Sequence, residues 1–238
     1  MGLNHGTNIV KDGLVFSVDA ANPRSYISGS SDTFNLKNLS ITGSLKNGVD
    51  FTFNNNLGVF ELDGSDDLIS VNNKFNLVQQ TGVFSISCWF KLDNYNSNAL
   101  QTIMQTNNSG NDGHGWWLAY ANRTGIETNT LFFILYRATS GQQDRIDEDS
   151  AISDNNWHFV TVTGDDTNIS LYLDGISLAT PISLTKSPSG VANNNLTIGD
   201  YNSSHDFDGQ IGLTQIYNRT LSAAEVLQNY NALKGRFN

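Results

Sequence analysis

Three observations in the sequence predict an all-β protein. The stretch 157–180, WHFVTVTGDDTNISLYLDGISLAT, alternates apolar and polar residues in three short runs, as half-buried strands do. Similar runs recur along the whole chain, separated by clusters of Asn, Ser, Gly and Asp that favour turns. Helical periodicity is confined to one segment near the C-terminus. A sandwich or barrel is the economical arrangement for so many strands.

Taken in chain order, strands are expected at Leu14–Val18, Val59–Leu62, Leu68–Val71, Val83–Leu92, Leu100–Gln105, Trp116–Tyr120 and Leu131–Arg137. Residues 21–57 are weakly patterned and read as a long excursion across the surface. In the meander, Trp157, Phe159 and Thr161 share one face, and His158, Val160 and Val162 the other. Trp157 is read as the core residue of that pair, and His158 as its packed or surface neighbour. Gly164 to Asn168 forms a polar loop, and Asp174-Gly175 suits the positive φ of a tight hairpin. Leu196–Ile198 and Gln210–Tyr217 complete the strands.

The helix starts at Ser222, whose hydroxyl can cap it, with Glu225 three residues on completing a capping box. Ala223, Val226, Leu227 and Tyr230 form one apolar stripe, and Gly235 is expected to end the helix, which then spans 222–234. No linker divides the chain, so residues 1–238 form one domain, with 1–12 an N-terminal arm.

Composition excludes several function classes. Thirteen basic residues against 23 acidic ones give a net charge of −10, the wrong sign for binding nucleic acid. No apolar run approaches a membrane span, and the N-terminus lacks the basic-then-apolar pattern of a secretory signal, so synthesis in a cytosol is expected. The one cysteine, Cys88, shares a strand face with Phe84, Ile86 and Phe90 and reads as a small buried apolar residue, not a reactive thiol.

Six segments together resemble the laminin-G-like branch of the concanavalin A-like lectin/glucanase superfamily. They are GLVFSVDAANPRSY (13–26), FELDGSDDLISV (60–71), FSISCWFKL (84–92), DNNWHFVTVT (154–163), LYLDG (171–175) and FDGQIGLTQIYNRTLSAAEV (207–226). The resemblance implies a two-sheet antiparallel jelly-roll sandwich, here with one short C-terminal helix. The two ends, MGLNHGTNIVKDGLVFSVDAANPRSY and LSAAEVLQNYNALKGRF, look more narrowly like lectin-like proteins of tailed, particularly marine, bacteriophages. That implies a non-catalytic virion structural protein, in capsid decoration or in a tail or fibre. Its partners would be other virion proteins, and it would be made in the host cytoplasm. A homo-oligomer suits such a role, although no coiled-coil heptad argues for one. The alternative is a carbohydrate-binding adhesin that recognises host surface glycans.

The side chains offer three kinds of chemistry beside these roles. Retaining glycoside hydrolysis needs two carboxyls about 5–5.5 Å apart, and the nearest match is Glu61 with Asp66. Asp63-Gly64 reads as a turn between them, so no catalytic residue is assigned. In the run Asp147-Glu148-Asp149 consecutive carboxylates alternate faces on a strand and are solvated in a loop, and the four histidines have no metal or triad spacing. Asp63, Asp66 and Asp67 are the candidate ligands for a calcium ion, with Asp206 and Asp208 as further candidates from the far end of the chain. Calcium-binding members of the superfamily often carry an acidic residue just after F-x-G-x-I, where this chain has Gly212.

Sugar sites stack aromatic rings on pyranose faces beside amides and carboxylates. Trp116, Trp117, Tyr120, Asn111, Asp112 and Arg137 are the candidate carbohydrate-binding residues, with His114, Tyr136 and Arg145 nearby. On a strand Trp116 and Trp117 must point to opposite faces, so at most one packs in the core.

Overall fold

In a computed structural model, residues 8–54, 57–107, 115–136, 143–184, 194–201 and 205–237 are described. The chain opens with β1 (Leu14–Asp19), β2 (Asp32–Phe34), β3 (Thr42–Lys46), β4 (Asp50–Asn54), β5 (Leu57–Asp63) and β6 (Leu68–Val71). A single-turn helix, α1 (Leu77–Thr81), leads into β7 (Val83–Leu92), β8 (Ala99–Gln105), β9 (Gly115–Arg123), β10 (Glu127–Tyr136) and β11 (Gln143–Glu148). The meander supplies β12 (His158–Asp165), β13 (Asn168–Leu173), β14 (Ile176–Ser177) and β15 (Ile182–Ser183). Last come β16 (Thr197–Ile198), β17 (Asp208–Tyr217) and the helix α2 (Ala223–Phe237).

Every strand pairing is antiparallel, and the strands form two sheets. The first runs β14-β13-β12-β7-β17-β5-β4; the second runs β11-β10-β9-β8-β16-β6-β3-β2. One edge of the long β17 is shared, its first half pairing with β5 and its second half with β1. The main core lies between the sheets. Phe84, Ile86, Cys88 and Phe90 of β7 and Val160 and Val162 of β12 meet Trp116, Leu118 and Tyr120 of β9 and Phe133 of β10 there. This is the jelly-roll sandwich that the alternation and the resemblance imply.

Cys88 is fully buried among these side chains, and burial pushes its thiol pKa far up. Asp174 and Gly175 have φ of 53° and 82°, the two positive values that a two-residue type I′ hairpin between β13 and β14 requires.

Four expectations change. Residues 21–57 carry β2, β3 and β4, short strands of three to five residues held by their neighbours' ladders. β11 was not anticipated either. Helix α2 passes through Gly235 to Phe237, because Phe237 is anchored by packing against Trp89 and Trp157. Trp157 itself is not in the main core. It is half-buried on the outer side of the first sheet, in a second cluster with Trp89, Phe159, Leu213, Tyr230 and Phe237.

Helix α2 lies over that outer face. Its capping box forms as expected: the Glu225 N–H donates to Ser222 Oγ at 3.3 Å, and the Ser222 N–H donates to Glu225 Oε2 at 2.9 Å. The N-terminal arm meets the helix as well. The Val10 N–H donates to Asn229 Oδ1 at 2.8 Å, the Tyr217 hydroxyl donates to the Val10 carbonyl, and Val10, Leu14, Tyr217, Leu221 and Val226 form one apolar cluster. Among the described residues no helix is long and apolar enough to cross a membrane.

Candidate functional site

The strand alternation of β9 divides the sequence candidates. Trp116 and Tyr120 point into the sandwich and have no exposed surface. Trp116 lies 6.1 Å from Phe133, and the Tyr120 hydroxyl bonds to Asn129 Oδ1 and to the Tyr95 carbonyl. Neither ring can meet a ligand there, which removes both from a sugar site. Trp117 points out of the second sheet, as the alternation requires, but it is only 7% exposed. Tyr201 stacks on it at 4.4 Å and His205 at 5.6 Å, and its Nε1–H donates to Thr102 Oγ1. The outer face of this sheet is thus already roofed by its own chain. Asn111, Asp112, His114 and Arg137 lie outside the described residues. Arg145 sits over the Phe132 ring at 4.4 Å and bonds to Asp147.

A different place offers an open site. At one end of the first sheet's outer face, a cleft of about 600 Å³ is lined by Lys91, Asp154, Asn155, Asn156, Trp157, His158, Asp174 and Phe237. Lys91 reaches it because β7 sends Cys88 and Phe90 inward and Trp89 and Lys91 outward. Phe237 comes from the last turn of α2, its ring 4.9 Å from Trp157. The loop 154–157 is fastened by Asn155, whose Oδ1 accepts the Tyr95 N–H and whose Nδ2 donates to the Asp93 carbonyl.

His158 joins two walls of this cleft. Its Nδ1 lies 2.9 Å from Asp174 Oδ2 and its Nε2 3.2 Å from Asp154 Oδ1. Burial disfavours the charged ring, but the hydrogen bond and charge of Asp174, and then of Asp154, outweigh it and raise the His158 pKa. Burial works against Asp154 ionising too, yet the Asn156 N–H and the His158 charge hold its pKa below the usual value. The lining therefore sets Lys91 and the His158 ring, whose pKa is raised, beside the carboxylates of Asp154 and Asp174. A half-buried indole, here Trp157, with carboxylate acceptors and amide and ammonium donors is a set of groups that can hold a sugar's apolar face and hydroxyls. Sequence reading missed the cleft because its parts come from four separated segments. The polar run Asp154-Asn155-Asn156 directly before Trp157 was the one local signal.

The acidic group does assemble: ligand atoms of Asp63, Asp66 and Asp67 lie within 4.8 Å of one another, with Asp67 buried. Two of the three carboxylates are engaged by backbone, since Asp67 Oδ2 accepts the Asp63 N–H and Asp63 Oδ1 accepts the Ser65 N–H. Burial raises the Asp67 pKa, helped by the nearby charges of Asp63, Asp66 and Asp50. Calcium takes about 6–8 oxygens, and these three side chains alone fall short of that number. Glu61, on β5, accepts the Gln210 side-chain amide at 3.3 Å.

The family model described as the concanavalin A-like lectin/glucanases superfamily matches residues 63–227, more than half of the chain, and the chain belongs to that superfamily. Similar solved structures include one of botulinum neurotoxin type C, described by the dependence of its cell entry on interaction with two ganglioside molecules. Identity is 19% and the TM-score 0.71, over 93% of this chain and 51% of that one. The binding domain of botulinum neurotoxin DC in complex with rat synaptotagmin II aligns at 17% identity and TM-score 0.69, over 93% and 52% of the two chains. The same binding domain in complex with SialylT gives 18% and 0.69 over the same shares. At these identities the likeness is one of fold, and the chain spans about half the length of these structures. No curated protein sequence matches the chain.

Proposed function

We propose that the chain is a non-catalytic, lectin-like module that binds neutral sugars in the cleft at Trp157. The observation that carries this reading is the half-open Trp157 ring standing in a cleft lined by two carboxylates, an ammonium and amides. A neutral pyranose would lay its apolar face on Trp157, give hydroxyl protons to Asp154 or Asp174, and accept from Lys91 or Asn156. An anionic sugar would meet a chain of net charge −10. Membership of a lectin-bearing superfamily and the ganglioside interaction of the neurotoxin of similar fold support sugar binding. A printed glycan array tests it. Binding to neutral glycans that Trp157→Ala abolishes supports the reading, and no binding by the intact chain overturns it.

A second reading concerns where the module acts: on a phage virion, docked to other virion proteins at the capsid, tail or fibre. The favouring observation is that the two phage-like terminal segments pack as one unit, with Asn8 and Val10 tied to Gln228 and Asn229 of α2. Electron microscopy of purified particles with a label on the chain tests this role. Label on particles supports it; label confined to soluble lysate overturns it.

A further inference from the structure

We propose that His158 is a proton latch for the cleft: doubly protonated, it ties the loop bearing Asp154 to the hairpin bearing Asp174, and losing one proton loosens that wall beside Trp157. The inference deepens the glycan reading, and its consequence for sugar binding rests on that reading.

The geometry sets the proton count. Both ring nitrogens face carboxylate oxygens, at 2.9 and 3.2 Å. A neutral imidazole has one N–H, so it can donate to one carboxylate only and must turn a lone pair toward the other. Both contacts are hydrogen bonds in the imidazolium alone. The rest of the surroundings decides which contact fails. Asp174 is fixed twice over: its Oδ1 accepts the Phe159 N–H at 2.8 Å, and its backbone forms the tight turn. Asp154 sits in a loop with its side chain 46% exposed, against 12% for His158. Asp154 Oδ1 has a second bond, from the Asn156 N–H at 2.8 Å, but that bond lies within its own loop. The bond from His158 to Asp154 is therefore the one released; Asn155 keeps the loop tied to Tyr95 and Asp93, so the change is local and is felt at the adjacent Trp157.

Other charges near the ring do not replace this bond. From β7, Lys91 is the remaining cation lining the cleft, and Phe90 presents only a ring at 6.1 Å. From the end of α2, Phe237 lines the cleft while the Arg236 guanidinium is taken by Asp19 at 2.8 and 2.9 Å. The two carboxylates raise the ring's pKa above the ordinary value of about 6.5. A raised folded-state pKa means that the latch is closed below that pKa and is lost as pH rises through it.

Two measurements on the full chain test the latch. The first is an NMR titration that follows the His158 ring and the Trp157 indole N–H together, without sugar. A midpoint above that of an ordinary histidine, shared by both signals and lowered by Asp154→Asn, supports the latch. A midpoint at or below the ordinary value overturns it, as does a Trp157 signal that ignores the titration. The second is an array of galactose-, glucose- and mannose-terminated oligosaccharides, read on either side of that midpoint. Several-fold weaker binding on the alkaline side, and none of that dependence in His158→Gln, supports control of the site. Equal binding at both pH values overturns control while the glycan reading stands. Absence of binding at either pH sinks the glycan reading and with it the control, and leaves the latch to the titration.

Discussion

The ring of Phe237 lies almost parallel to the indole of Trp89, 4.4 Å between centroids and 11° between planes, over a glycine that leaves it room. A Cβ on Gly212 would stand 2.3 Å from Phe237 Cε1. This contact joins the last turn of α2 to the outer face of the first sheet, and through Trp157 it forms one side of the cleft.

Gly212→Ala should therefore overpack this seam and cost about 1–3 kcal/mol. Phe237→Ala should cost about 3 kcal/mol by removing a buried ring. In the double variant the glycine change should lose most of its penalty, since the ring it strikes is gone. Urea unfolding of the four proteins gives the coupling, and additive costs would show that the two residues do not meet.

The start of α2 should weaken in acid. Glu225 bonds to Arg219 through both of its oxygens, and that pairing, with the Ser222 bonds, lowers its pKa to about 2. A lowered folded-state pKa adds stability above the unfolded value of about 4.3. That gain fades as pH falls toward 2. Glu225→Gln should cost roughly 1 kcal/mol at pH 7, the size expected of a partly exposed pair. The gap from the parent should close by pH 2 in parallel denaturation curves.

Cys88 should be silent to thiol reagents in the folded protein. It is fully buried in the core and its pKa is pushed up, so neither access nor thiolate is provided. A chromogenic disulfide reagent should report no thiol in buffer and one in denaturant. Rapid labelling of the native chain would contradict the core packing of β7.

Calcium distinguishes two readings of Asp63, Asp66 and Asp67. As braces of the turn after β5, a role that the two backbone acceptors favour, they give no change in melting temperature with millimolar calcium. A rise that Asp66→Asn abolishes would make the group an ion site instead.

Much of the fold was legible because strand alternation needs no tertiary knowledge. Val83–Leu92 was read to the residue, and Asp174-Gly175 and Ser222 with Glu225 did what their local chemistry allows. Alternation tells which residues share a face, but not what covers that face. Trp157 and Phe159 were grouped correctly, yet α2 covers their side, and Trp157 ends at the rim of a cleft. Trp116 and Trp117 were separated correctly, but nothing local revealed that Tyr201 and His205 roof the outward ring. Short strands such as Asp32–Phe34 are held by partners distant in sequence, which no window along the chain displays. The cleft depends on the same long-range packing, with Lys91, Asp154, Asp174 and Phe237 brought together by a strand, a loop, a hairpin turn and a helix end.

The most direct test is a map of backbone amide shifts on adding an array-positive neutral oligosaccharide to the labelled chain. Saturable changes centred on Lys91, Asn156, Trp157 and His158 are the expected result. Changes centred on Trp117 and Tyr201, or no saturable change at all, would contradict the assignment of the cleft.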